Sequence, residues 1–417
     1  MRPPLLTSPS NESWRVVRWC ALAALTLLPV SVLAQVPATL TLSGALTRAL
    51  DGNPAVLAAR SARAIDLAGV QAAGQRPNPE VSVEAERETP HWSFGGSVPI
   101  ERSGKRQRRI DVAQATLNTT EAETARVMAA VRSDVRRAYF SAVGALRRLE
   151  AAQELEGIAT RARDAAQERF QSGAAPRLEA LQAALVLSQA QNDVTSARGA
   201  VTAARAELNA LLGYPADAAP ALSGTLEGPP PPDLAGASAA ALTGNAELRV
   251  LERRVAEERA RVELARAMRR PDPSVAGTLT YDAQPEFTFG WRLGFAVALP
   301  LFTTGRADVA VAEATLTRAI ADRAARVAQI NGAVAAAAAR AASAHQAVTR
   351  YQNDILPATI QVEQMAQESY QSGQTGIAAL LQAVQIARET RVRALQAGLD
   401  YQLALADLER AIGAPLQ

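Results

Sequence analysis

The chain has 417 residues, of which 48% are hydrophobic but only 4% are aromatic, so small aliphatic side chains supply most of its apolar surface. This composition disfavours one large aromatic-rich core and suits long helices that pack closely side by side. The formal net charge of +3 is too weak to indicate a nucleic-acid-binding protein.

Residues 1–34 have the pattern of a secretory signal peptide. Arg15 and Arg18 precede an apolar run over 21–33, and the small residue Ala34 stands where a signal peptidase would cut. The run is too short to span a bilayer as a helix, and no later segment reaches 18 uninterrupted apolar residues. Because Cys20 precedes the predicted cleavage point, we expect an exported chain without disulfides or thiolate metal sites.

The first predicted repeat covers residues 35–212 and changes its periodicity twice. Two short stretches with helical spacing end at Pro77-Asn78-Pro79, because proline stops a helix. From about residue 80 to 100, apolar and polar residues alternate, which predicts a pair of β-strands with unlike faces. Helical spacing then returns in a long hairpin over 103–212, with apolar residues in steps of seven along its return helix.

The second predicted repeat covers residues 234–417 and follows a proline-rich connector at 213–233. Its strand pair is expected at about 274–301 and its long helical hairpin at 304–412. Seven large apolar residues alternate with small or polar ones in the fourth strand: Phe287, Phe289, Trp291, Leu293, Phe295, Val297 and Leu299.

Both predicted hairpins turn at the same short motif. Residues 168–173 read ERFQSG and residues 368–373 read ESYQSG, at a spacing of 200. Glycine supplies the left-handed conformation that ends a helix, and Pro176 suits the start of the next one. The chain is therefore predicted to contain two copies of one structural unit.

The four strands have the length and alternation of membrane-spanning β-strands. Unpaired backbone amides cost several kcal/mol in lipid, so a membrane sheet cannot keep open edges. About eight strands are the practical minimum for a closed barrel, so four strands predict an oligomer that shares one barrel. The alternative is a non-channel periplasmic coiled-coil scaffold, although a small soluble sandwich would rarely need so large an apolar face.

This order of elements resembles the TolC family of outer-membrane efflux ducts over nearly all of residues 40–415. The resemblance rests on the two turn motifs and on Gly74-Gln75-Arg76-Pro77-Asn78-Pro79-Glu80. It implies a mainly α fold with membrane β-structure, in which duplicated long helical hairpins form an α-barrel. It also implies four β-strands per chain in a twelve-stranded outer-membrane barrel shared by a homotrimer.

The function that this resemblance implies is that of a passive exit duct, not an enzyme, and it requires no cofactor. Such a duct lies in the outer membrane of a Gram-negative bacterium, contacts outer-membrane lipid and extends into the periplasm. Its partners are a periplasmic membrane-fusion adaptor and an inner-membrane pump. Pro99-Ile100-Glu101 with Gly104-Lys105-Arg106 resembles the CzcC-like members, which partner heavy-metal RND pumps. Drug efflux and type I secretion are the alternatives within the family.

The resemblance places both hairpin turns at the periplasmic tip, where the family meets its adaptor. The residues expected there are Phe170, Gln171, Ser172, Gly173, Tyr370, Gln371, Ser372 and Gly373. The family closes this tip with a carboxylate–tyrosine hydrogen bond, and Glu179 and Tyr370 match that pair. Thr375 stands where the family has an arginine, and Ala379 and Gln382 stand where it often has aspartates. Tight closure and cation block at the tip are therefore not expected to follow the family pattern.

Polar residues on the strands are predicted to line the interior of the barrel. They are Glu80, Glu84, Glu86 and Arg292. Threefold repetition would turn the carboxylates into rings that favour cations, whereas the alternative is a wet wall that tolerates any polar residue. The two histidines, His91 and His345, lie far apart without a serine or cysteine partner motif, so no catalytic or dedicated metal site is predicted.

Overall fold

The computed structural model describes residues 37–88 and 90–416, so the predicted signal peptide at 1–34 lies outside the described residues. The first half of the described chain contains two short helices, a strand pair and a long helical hairpin. In chain order its elements are β1 (Thr39–Leu40), α1 (Leu42–Gly52), α2 (Pro54–Ala73), β2 (Glu80–Ala85), β3 (Trp92–Pro99), α3 (Lys105–Gln171) and α4 (Arg177–Leu212).

The second half repeats this order, so the mainly helical fold with two strand pairs agrees with the prediction. Its elements are β4 (Ala221–Leu222), α5 (Leu234–Gly244), α6 (Ala246–Met268), β5 (Pro273–Ala283), β6 (Phe287–Val297), α7 (Arg306–Arg350), α8 (Leu356–Gln371) and α9 (Ile377–Ile412). At 1.5 Å per residue, the 67 residues of α3 extend about 100 Å.

The first arm of the predicted hairpin at 304–412 is interrupted and is not one continuous α-helix. A π-helical turn, Tyr351–Ile355, separates α7 from α8. Pro357 follows it in the first turn of α8 and explains the interruption. Proline has no N–H to donate and its ring clashes with the carbonyl four residues earlier, and a π turn accommodates both effects without ending the helix.

Three predicted boundaries differ from the structure by a few residues. The long helices start at Lys105 and Arg306, because Gly104 and Gly305 have φ angles of 69° and 65°. A residue in that left-handed region cannot belong to a right-handed helix. The fourth strand ends at Val297, so the predicted strand residue Leu299 lies beyond it.

The four long strands form one antiparallel sheet in the order β2-β3-β5-β6. The central pairing joins the two halves, with Phe94 of β3 opposite Leu279 of β5. Consequently β2 and β6 are the free edges of the sheet. Elsewhere, the short strands β1 and β4 pair in parallel, which the sequence did not predict.

Each of the four long strands is joined directly to a helix, and the order of these helices follows the order of the strands. The chain passes from α2 into β2, from β3 into α3, from α6 into β5 and from β6 into α7. Next to the sheet, α2 packs on α3, α3 on α6 and α6 on α7. Towards the hairpin turns, α4 packs on α3, α3 on α9, and α9 on α7 and α8. The helices therefore form a layer whose edges are α2 with α4 on one side and α7 with α8 on the other.

Two buried tyrosines attach the connecting segments to the long helices. The Tyr139 hydroxyl of α3 donates to the carbonyl oxygens of Leu40 and Ser223. The Tyr401 hydroxyl of α9 donates to the carbonyl oxygen of Pro229. Burial raises the pKa of both phenols above the ordinary value, so both stay protonated as donors at neutral pH. Of the helices in the described ranges, none combines the length and apolarity needed to cross a membrane.

Candidate functional site

Both hairpin turns close with the same backbone geometry. Gly173 and Gly373 have φ angles of 75° and 74°, a conformation that glycine adopts without a steric penalty. The N–H of Ala174 donates to the carbonyl of Arg169 at 2.8 Å, and the equivalent bond in the second turn measures 2.9 Å. These bonds pair carbonyls that the last helical turn would otherwise leave free. The repeated motif therefore builds two superimposable turns.

A small apolar cluster lies beside the turns. It contains Ala166, Ala183, Tyr370, Ile377, Leu380 and Val384, which come from α3, α4, α8 and α9. Tyr370 is 5% exposed, and the guanidinium carbon of Arg169 lies 4.8 Å from the centre of its ring. This cation–π contact links the two hairpins. The sequence prediction placed Arg169 in the turn motif but did not assign it this role.

Of the predicted gate pair, Tyr370 belongs to this cluster and Glu179 lies near it, but no hydrogen bond joins them in the described structure. Glu179 lies one helical turn before Ala183, a member of the cluster. Its buried Oε2 atom and the buried Tyr370 hydroxyl both lack a hydrogen-bond partner among the described residues. Buried polar atoms without partners are costly. Neither atom is bonded to another described residue, and the hydrogen bond between the two stays a prediction.

Ion pairs near the tip hold the second hairpin together and attach the first hairpin to it. Arg391 of α9 donates to Glu363 of α8 at 2.8 Å, with both side chains largely buried. Arg388 of α9 pairs with Asp193 of α4. Sequence reasoning did not find these pairs, because their members are up to 195 residues apart and carry no motif.

One face of the four-stranded sheet is apolar from edge to edge. Val83 stands opposite Phe94, which in turn stands opposite Leu279. Leu279 stands opposite Trp291 on the last strand. In the single chain Trp291 is 75% exposed. An apolar surface of this extent requires lipid or protein to cover it.

The other face of the sheet carries the polar residues. Glu84 stands opposite Ser93, whose hydroxyl donates to its carboxylate at 3.3 Å. Glu80 lies on the same face, and Arg292 stands opposite Thr278. That this face lines a lumen stays a prediction. Glu86 differs from the other two glutamates, because β2 ends at Ala85 and the Glu86 backbone bonds instead to His91 in the following loop.

An ion pair fixes the junction between sheet and helices. The ammonium of Lys105 donates to Asp272 at 2.8 Å, and the Lys105 side chain is only 6% exposed. The backbone N–H of Arg102 donates to the same carboxylate at 3.0 Å. Burial alone would raise the pKa of Asp272, but these two donors lower it below its ordinary value. The pair joins the start of α3 to the start of β5, across the two halves.

In the parts of the chain that the structure describes, no group of three or more His, Cys, Asp or Glu side chains is placed to hold a metal ion.

Comparison with known proteins identifies the family of this chain. The profile of the outer membrane efflux protein family matches residues 45–214 and 237–414, which is well over half of the chain. The chain belongs to the outer membrane efflux protein family. The predicted TolC-type fold and outer-membrane location are therefore confirmed.

Relatives of this efflux family member include a metal-resistance protein. The cobalt-zinc-cadmium resistance protein CzcC of Cupriavidus metallidurans is 31% identical over 177 residues. The match spans 42% of this chain and 42% of CzcC, which is less than half of that relative.

Solved structures of outer-membrane channels share the fold. The CusC structure superposes with a TM-score of 0.74 at 18% identity, covering 90% of this chain and 92% of CusC. The open state of the MtrE channel of Neisseria gonorrhoeae gives 0.73 at 18% identity, covering 89% of each chain.

Proposed function

We propose that the chain forms a homotrimer and serves as the passive exit duct of a tripartite efflux system. The observation that carries this proposal is the four-stranded sheet, which has one continuous apolar face and two free edges. A membrane sheet must close on itself, and four strands are too few to do so alone. Three copies supply twelve strands, and β6 of one copy pairs with β2 of the next.

The helical layer supports the same assembly. Its edges come from opposite halves of the chain, so joining copies head to tail brings α7 and α8 of one copy against α4 of the next. The face of α4 turned away from α3 carries three exposed leucines, Leu178, Leu181 and Leu185. Such a stripe is unfavourable in water and is covered by a neighbouring helix in this arrangement. A contact between different faces generates a ring when the rotation between neighbouring copies closes, as it does in the proposed trimer.

Assembly is tested by isolating the protein from membranes. Outer-membrane fractions should contain it, and light scattering of the detergent-purified protein should give three times the mass of the chain. A soluble monomer in the periplasm would favour the scaffold alternative and contradict the duct.

We also propose that the two halves act as equivalent repeats of 35–212 and 234–417, joined by the connector 213–233. Both turn motifs then meet the periplasmic adaptor, and an inner-membrane pump supplies the energy. The duct itself performs no chemistry and is not an enzyme.

We propose a heavy-metal cation, exported by an RND-type pump, as the cargo. The supporting observation is the relative named for cobalt, zinc and cadmium resistance. Deletion of the gene should lower tolerance to these cations and leave tolerance to drugs unchanged. Loss of drug tolerance or of protein secretion instead would favour the alternative cargoes.

A further inference from the structure

A cavity of about 730 Å³ lies where the two halves of the chain meet. It is bounded by the middle of α3, the start of α6, the middle of α7 and the end of α9. Asp407 and Arg410 of α9 line it, whereas Leu405 and Leu408 point away and pack against α5 and α7. The cavity borders the buried apolar cluster that contains these two leucines, since Ile330 and Ala337 of α7 belong to both.

Five arginines and three carboxylates line this cavity, and every carboxylate is already paired. Glu247 binds Arg326 at 2.6 Å. Glu409 binds Arg136 at 2.6 Å, and Asp407 binds Arg137, and neither of these arginines lines the cavity. The negative charge of each carboxylate is therefore already balanced by the arginine that it binds.

The arginines divide into two groups. Arg326 is held by Glu247, and Arg410 donates to Asp134 at 3.0 Å. The other three are Arg126, Arg132 and Arg340, and none of them has a carboxylate partner among the described residues. The ends of α6 and α9 contribute opposite partial charges that largely cancel. The cavity therefore carries an excess of three positive charges.

We propose that this cavity binds a small polyanion that bears carboxylate or phosphate groups. Guanidinium groups present forked donors that match both kinds of oxyanion, and an anion bound among the three arginines would neutralise their like charges. The volume is within the range of about 300–1,000 Å³ found for small-molecule sites. Alanines from α3 and α7 form much of the wall and leave this space open. The site belongs to a single chain, so it does not depend on the proposed duct.

Calorimetry of the full-length protein in detergent at low salt tests the proposal, with citrate and pyrophosphate as separate probes. At least one probe should bind at one site per chain, and stronger binding of citrate or of pyrophosphate identifies carboxylate or phosphate as the preferred group. Binding should weaken as sodium chloride is added. An absence of binding for both probes overturns the proposal, as does equal binding of chloride at the same ionic strength.

Three substitutions locate the binding to this cavity. Arg126→Gln, Arg132→Gln and Arg340→Gln should each weaken the stronger probe by about tenfold or more, since each removes a charge-assisted hydrogen bond. Arg254→Gln is the matched control, because Arg254 is exposed on α6 outside the cavity. Glutamine is a good helix former, and unchanged circular dichroism establishes folding of each variant. A triple variant that folds and binds like the wild type contradicts the assignment.

Discussion

Asn53 and Asn245 make the same two contacts in the two halves of the chain. The side-chain oxygen of Asn53 caps α2 by accepting from Ala55 N, and that of Asn245 caps α6 by accepting from Glu247 N. Each side-chain nitrogen donates to the end of a return helix. These bonds reach the carbonyls of Leu211 and Ala411 at 3.0 and 3.1 Å. One buried asparagine therefore joins two helices end to end in each half.

Replacing Asn245 by alanine should lower the free energy of unfolding by about 1–3 kcal/mol. The change removes a helix cap and leaves the Ala411 carbonyl without its donor. Thermal loss of the helical circular dichroism signal measures the effect. Asn331→Ala, at an exposed position within α7, is the control and should change stability little. Equal effects of the two changes would show that the joint between α6 and α9 does not matter for stability.

The Lys105–Asp272 pair should make the junction sensitive to acid. The pKa of Asp272 is lowered in the folded chain. The pair therefore contributes its full stability at pH values above 3.8, the ordinary pKa of aspartate. That stability is lost as the pH falls through the lower folded pKa. At neutral pH, Asp272→Asn should cost about 1–3 kcal/mol, between the values for exposed and buried pairs.

A double-mutant cycle separates this pair from its surroundings. Lys105→Met and Asp272→Asn together should lower the free energy of unfolding by less than the sum of the two single changes. The reason is that each single change leaves the other residue without its partner. Denaturation at pH 7 and at pH 3 provides the measurement. Additive costs at both pH values would contradict a direct interaction.

The two faces of β6 should respond differently to a charge. Phe295→Arg puts a cation on the apolar face and should destabilise the membrane-inserted protein by about 2–4 kcal/mol near the bilayer midplane. Ala296→Arg, on the opposite face, should assemble normally and alter conductance. Trimer yield and planar-bilayer currents distinguish the outcomes. Equal losses of assembly would mean that the alternation does not separate lipid from lumen.

Glu80 and Glu84 should make the pore prefer cations. Changing both to glutamine removes the carboxylates from the polar face and should reduce cation-over-anion selectivity, most clearly at low salt. Reversal potentials under a salt gradient report the change. Glu86→Gln should change the selectivity less, because Glu86 follows the end of β2. Unchanged potentials in the double variant would support the wet-wall alternative.

Tyr370→Phe tests the gate at the tip. The change keeps the buried ring and its contact with Arg169 but removes the unpaired hydroxyl. If Glu179 and Tyr370 bond in a closed state, this change and Glu179→Gln should each raise single-channel conductance, and the double variant should add little. Conductance equal to that of the parent channel would show that another contact holds the tip.

Some features of this protein could be predicted from the sequence because local patterns cause them. Alternation over residues 80–100 and 287–297 predicts strands, since successive side chains of a strand point to opposite faces. Gly173 and Gly373 mark the hairpin turns because their φ angles exclude most other residues. The repeated order of these signals was enough to recognise the family.

Only the tertiary structure decided which distant residues meet. The pairing of β3 with β5, the Lys105–Asp272 pair and the joint between Asn245 and Ala411 each connect segments more than 160 residues apart. The arginines around the cavity come from different helices and share no motif. A periodic pattern determines which face of an element is apolar, but it does not specify which other element covers that face. Contacts of this kind depend on how the two halves pack against each other.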